Sequence, residues 1–150
     1  MLCCLAWTVA TTLFGLAALA GGRSSMAEEM KHALLVEDEE SVRNMTEKML
    51  RARDYEVTAA NDGDEGWDLL QQDSDKFTFV LSDVVMPSLG EWELYEKCRE
   101  EGINLPFVFM SGYTHGVGDG DSPEDKTWVF LQKPFSIEQL VHCIESVVRE

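Results

Sequence analysis

Short runs of apolar residues recur along the chain, and most are followed by a stretch whose apolar positions fall three and four apart. One such run lies within residues 77–87, FTFVLSDVVMP, where unbroken hydrophobicity stops on Asp83. Continuous rather than alternating hydrophobicity marks a strand buried on both faces, so the carboxylate surfaces at the strand's carboxyl end. Open α/β sheets place their chemistry along that edge. Three further runs also stop on polar groups: residues 32–36 on Glu37-Asp38, residues 107–110 on Ser111-Gly112, and residues 128–131 on Gln132-Lys133-Pro134. A fifth strand is expected over residues 56–60, closed by an Asn61-Asp62-Gly63 turn.

Between the strands the pattern turns helical. Residues 41–53 read as a helix with Val42, Met45 and Met49 toward the core and Arg43, Asn44, Glu47 and Lys48 toward water. Residues 64–72 form a second helix, weakened by Gly66, with Trp67 assigned to core packing. Residues 91–101 form a third, burying Leu94, Tyr95 and Cys98 and closed by Gly102. The last is the clearest: Ser136 and Gln139 make a capping-box pattern ahead of an apolar stripe through Ile137, Leu140, Val141, Ile144, Val147 and Val148. Residues 113–126 carry Gly116, Gly118, Gly120 and Pro123, so only a short or irregular helix is expected there. Strands alternating with helices imply a parallel sheet with helices on both faces.

Taken together, LLVEDEESVR, LSDVVMP, FMSGY and FLQKPFS resemble the receiver domain of two-component response regulators, with the wording of receivers attached to hybrid histidine kinases. The resemblance covers the chain from Lys31 to its C-terminus. It implies a single flavodoxin-like (CheY-like), doubly wound, five-stranded sheet in the order 2-1-3-4-5, which brings the ends of strands one and three together. Glu37, Asp38 and Asp83 then converge, and three close carboxylates do not all stay ionised without a cation. An all-oxygen set suits Mg2+, which retains waters and accepts a phosphate oxygen as ligand.

By the same resemblance Asp83 is the phosphoacceptor, the backbone carbonyl of Val85 completes the metal ligands, and Lys133 and Ser111 contact the phosphoryl group. Ser111 and Phe130 form the switch pair, although Phe130 reads equally well as a permanent core residue. The family's Lys-Pro peptide is usually cis, which makes Pro134 notable. One departure is that Gly90 stands one place early, leaving Glu91 where the family has glycine. Val85, being apolar, cannot hold an attacking water, so slow loss of the phosphoryl group is expected.

The chain has 150 residues and a formal charge of -16, from 12 basic against 28 acidic residues. That field repels phosphate backbones, so direct nucleic-acid binding is not expected and protein partners are. The resemblance names them: a sensor histidine kinase or histidine phosphotransfer protein upstream, and a protein partner downstream. Four cysteines form no CxxC pair and no zinc spacing.

Residues 2–20 are uncharged and long enough for a membrane span. Residues 1–30 therefore read as a membrane anchor, as a signal-like leader ending at Ala18-Leu19-Ala20, or as sequence upstream of a true start at Met26, with residues 31–150 as the receiver. Export ranks last, because an exported receiver is cut off from a cytoplasmic phosphodonor. The expected location is cytoplasmic, with or without an inner-membrane tether.

The leading function is a stand-alone receiver, not an enzyme beyond its own phosphorylation and dephosphorylation, serving as relay intermediate or switch. The competing class is an interaction module that works without phosphorylation. An aspartate-nucleophile phosphatase is disfavoured, since Val85 stands where a second carboxylate is needed.

Overall fold

The computed structural model describes residues 30–84, 92–112 and 127–148. Its elements run β1 (His32–Val36), α1 (Glu40–Arg51), β2 (Glu56–Ala60), α2 (Gly63–Asp73), a 3-10 turn (Ser74–Lys76), β3 (Phe79–Asp83), α3 (Glu93–Glu100), β4 (Phe107–Ser111), β5 (Trp128–Gln132) and α4 (Ile137–Val147). The five strands are all parallel and ordered β2-β1-β3-β4-β5, so the expected doubly wound, flavodoxin-like sheet is present. The expectation of a short helix over residues 113–126 lies outside the described residues.

β1 and β3 are buried at every position, as their unbroken apolar runs required. Their residues divide alternately between two cores. Ala33, Leu35, Phe79 and Leu81 join Leu50 of α1 and Leu140, Ile144 and Val147 of α4 on one face. Leu34, Val36 and Val80 join Leu70 of α2 and Leu94 and Cys98 of α3 on the other.

Local chemistry sets the helix ends. Asp62 accepts from the Glu65 N–H at 2.8 Å, so α2 starts at Gly63 rather than one residue later. The Ser136–Gln139 capping box forms in full. Gly102, at φ 75°, closes α3: its N–H donates to Arg99 O and that of Ile103 to Cys98 O, the paired bonds of a Schellman motif.

Two readings of helix faces change. α1 buries Thr46 and Leu50, while Met45 is 49% exposed and Arg43 is half-buried. Its inward face is therefore rotated from the Val42–Met45–Met49 stripe, because a polar threonine occupies a core position that hydrophobicity alone does not reveal. The Thr46 hydroxyl has no hydrogen-bond partner among the described residues. Gly66 does more than weaken α2: a Cβ there would lie 3.0 Å from Val36 Cγ2, so the glycine lets α2 settle against β1. Trp67 packs against that same core, as expected.

Candidate functional site

β1, β3 and β4 end side by side because they are parallel and in register: Val36 pairs with Ser82, and Asp83 with Met110. The residue that follows β1 is therefore carried next to Asp83. Glu37 is fully buried, its N–H donating to Ala60 O at 3.2 Å. Asp83 is 9% exposed, and Asp38 faces solvent. One carboxylate oxygen from each of Glu37, Asp38 and Asp83 lies within 4.8 Å of the others.

Lys133 joins them from the end of β5. Its Nζ lies 2.8 Å from Glu37 Oε2 and 3.2 Å from Asp83 Oδ2, so a single ammonium bridges two buried carboxylates. The Lys133 N–H donates to Ser111 O at 2.7 Å, and the Lys133–Pro134 peptide is cis. Ser111 is the last residue of β4 and pairs with Gln132, so it occupies the same edge, half-buried, one place beyond the residue beside Asp83.

Burial raises the Glu37 carboxyl above its usual range and the Asp83 charge adds to the rise; the bonds from Lys133 and the Glu39 N–H oppose it. Burial alone would lower the Lys133 ammonium, but the bond to Glu37 and the charge of Asp83 together outweigh it and the net shift is upward. The cluster thus favours keeping the ammonium charged while making a second buried negative charge costly.

The donor set is all oxygen, one member is a fully buried carboxylate, and among the described residues one ammonium bridges two of the three carboxylates. That excess of negative charge fits a hard divalent cation held by Glu37, Asp38 and Asp83. Val85, the fourth ligand named from the resemblance, lies outside the described residues, as do Gly90 and Glu91. Phe130 is half-buried, with ring centroids 5.8 Å from Trp92, 5.6 Å from Phe109 and 5.3 Å from Trp128.

Sequence reasoning missed two groups here. The Glu39 N–H donates to Glu37 Oε1 at 3.1 Å. Arg43, assigned to the solvated face of α1, turns back so that Nη1 donates to Glu37 O at 2.8 Å and Asp38 O at 3.3 Å. The available signal was a basic residue in the first turn of a helix, where the helix dipole favours acids.

A parallel 2-1-3-4-5 sheet with this acid cluster and lysine at its carboxyl edge defines a class, and the comparisons with known proteins agree with it. The response regulator receiver domain model matches residues 33–145, and the chain belongs to that family of signalling switches. Receiver domains interact with histidine kinases or phosphotransfer proteins and generally bind Mg2+ at acidic residues.

Among its relatives, the chain is 33% identical over 117 residues to the sensor kinase CckA of Brucella abortus (strain 2308). That match covers 78% of this chain but only 12% of the kinase. It is 31% identical over 119 residues to the response regulator receiver protein CpdR of the same organism, covering 79% of this chain and 98% of that protein. Among solved structures, the receiver domain of the hybrid histidine kinase CckA matches with a TM-score of 0.64 and 32% identity, covering 79% of this chain and 99% of that one. The resemblance to hybrid-kinase receivers accords with this. Among the described residues no helix is long and apolar enough to cross a membrane; residues 1–29, which hold the anchor, leader and start-site alternatives, lie outside them.

Proposed function

We propose that this chain accepts a phosphoryl group on Asp83 from a phosphohistidine of a sensor kinase or histidine phosphotransfer protein, in a Mg2+-dependent reaction, and acts as relay intermediate or signalling switch. The observation that carries this reading is the Lys133 ammonium shared between Glu37 Oε2 and Asp83 Oδ2, with Asp38 beside them. A structural ion pair needs one carboxylate; a site for a dianionic group needs cationic charge that can be handed over.

In the reaction an Asp83 oxygen attacks phosphorus in line. The P–O bond forms as the P–N bond to the donor imidazole breaks, and the bonding pair stays on the imidazole nitrogen. Lys133, a flexible point charge, leaves Glu37 and follows the phosphoryl oxygens. Ser111, at the end of β4 on the same edge, donates its hydroxyl to one of them in this reading. A divalent cation at Glu37, Asp38 and Asp83 supplies charge neutralisation for the transferring group.

The matches to the response regulator receiver protein CpdR and to the receiver domain of a hybrid histidine kinase support phosphoryl acceptance by a receiver. The division into residues 1–30 and 31–150 belongs to the same reading, as does a cytoplasmic location with any tether confined to residues 2–20. Incubation with radiolabelled acetyl phosphate and Mg2+ tests the reading. Wild type should label and Asp83→Asn should not; equal labelling of both overturns it.

A second reading, an interaction module independent of phosphorylation, draws on Phe130, whose ring is packed among Trp92, Phe109 and Trp128 and so resists a rotamer change. It requires a partner that binds Asp83→Ala as tightly as wild type.

A further inference from the structure

Among the described residues Glu37 is fixed from three sides. Its N–H is bound to Ala60 O, its Oε1 to the Glu39 N–H and its Oε2 to Lys133. Among the described residues Asp38 has no such side-chain support. It is exposed and is tied through its backbone carbonyl, which accepts from Arg43. The same guanidinium nitrogen, Nη1, also holds the carbonyl of Glu37, so one side chain spans both members of the acid pair.

The placement of Arg43 is costly on local grounds. It lies in the first turn of α1, where its own N–H donates to Glu39 O at 2.9 Å and where the helix dipole disfavours a cation. The residue is half-buried rather than fully exposed. A residue held against the dipole and folded back onto two successive carbonyls is engaged with those carbonyls.

We propose that Arg43 is a positioning residue for the divalent-cation site: by bonding the Glu37 and Asp38 carbonyls it presets the backbone from which both carboxylates project, so that Asp38 reaches the ion without first ordering its loop. The inference rests on the Mg2+-dependent reading above and extends it to a residue that touches neither ion nor phosphoryl group. Groups that orient metal ligands in this way alter affinity about tenfold or more when removed.

A competing account gives Arg43 a purely electrostatic role, as one more cation beside an acidic cluster. The two accounts predict opposite signs. A guanidinium acting only through its charge repels the incoming ion, so its removal tightens binding. A guanidinium acting by position loosens binding when removed.

The test is calorimetric Mg2+ titration of the full chain after EDTA treatment, for wild type, Arg43→Ala, Arg43→Met and Arg43→Lys, with thermal unfolding in EDTA alongside. Arg43→Met keeps the apolar stem and remains informative where Arg43→Ala unfolds. Positioning predicts that Kd rises about tenfold in Arg43→Met and Arg43→Ala, and that Arg43→Lys recovers part of the loss. A merely structural role lowers the melting temperature and leaves Kd unchanged, and a charge-only role lowers Kd. Either result overturns the proposal. Wild type that takes up no Mg2+ overturns the proposed function and this inference together, whereas normal wild-type binding with equal affinity in every variant overturns only the inference.

Discussion

The two ends of the sheet bury polar side chains in opposite ways. At the amino end His32 is 6% exposed: its ring Nε2 lies 2.8 Å from Thr58 Oγ1, and its backbone N–H donates to Thr78 Oγ1 at 3.0 Å. Its ring also packs edge-on against Phe77. At the carboxyl end Glu37 and Asp83 are buried together with one ammonium between them. The first arrangement is close to balanced: burial is matched by neutral hydrogen bonds to two threonines, and the exposed Glu56 carboxylate lies 3.7 Å from the remaining ring nitrogen, Nδ1. The second is left with excess negative charge, so a bound cation would change its energy directly. Buried polarity marks a candidate site when its charges fail to balance, not whenever it occurs.

The largest effect should come from the charged end. Lys133→Ala strands two buried carboxylates and should lower stability in EDTA by about 3 kcal/mol, read by urea unfolding. The same substitution should slow labelling by acetyl phosphate about a hundredfold, since it removes a cation from the transferring group. An unchanged unfolding midpoint would show that the two ends differ less than their geometry suggests.

At the amino end the cost should be smaller. Thr58→Val keeps the branched shape and removes the partner of His32 Nε2, so a loss of about 1 kcal/mol is expected, independent of Mg2+. A Mg2+-dependent loss would link the two ends and break the contrast.

The finest distinction lies in pH. Burial lowers the His32 imidazole below 6.5, an effect that outweighs the opposing pull of Glu56 and to which Lys76 and Arg51 add. The unfolded chain therefore binds the proton more readily, and the stability His32 contributes is present above pH 6.5 and is lost as pH falls through the lower folded value. Glu37 has the opposite sign. Its carboxyl is raised above 4.5, so in the ion-free protein its contribution is full below 4.5 and is lost as pH rises through the folded value. Unfolding measured between pH 4 and 7 in EDTA should show His32→Asn with a flatter acid limb and Glu37→Gln with a smaller loss toward neutrality. Parallel curves for both variants and wild type would remove this part of the comparison.

Much of this architecture was legible in one dimension. Unbroken apolar runs in β1 and β3 fitted strands buried on both faces, and Ser136 with Gln139 announced the start of α4. The order of the polar stops, Glu37-Asp38, Asp83, Ser111 and Lys133, pointed to one sheet edge once strands and helices alternated. Less legible were the features that depend on what lies across from a residue. Thr46 faces inward despite its hydroxyl and Met45 faces water despite its thioether, an orientation that hydrophobicity along α1 does not specify. The Gly66 position is decided by the closeness of Val36.

By itself, then, the sequence determined which segments could be buried and which of them ended in chemistry, since hydrophobic periodicity and turn propensity are local properties written along the chain. Only the tertiary structure decided that Lys133 would divide its charge between Glu37 and Asp83, and that Arg43 would leave the solvated face to hold two carbonyls. Those contacts join residues far apart in sequence or fold a helix's first turn back onto a loop, and their distances follow from the parallel register and twist of a sheet that no single segment contains.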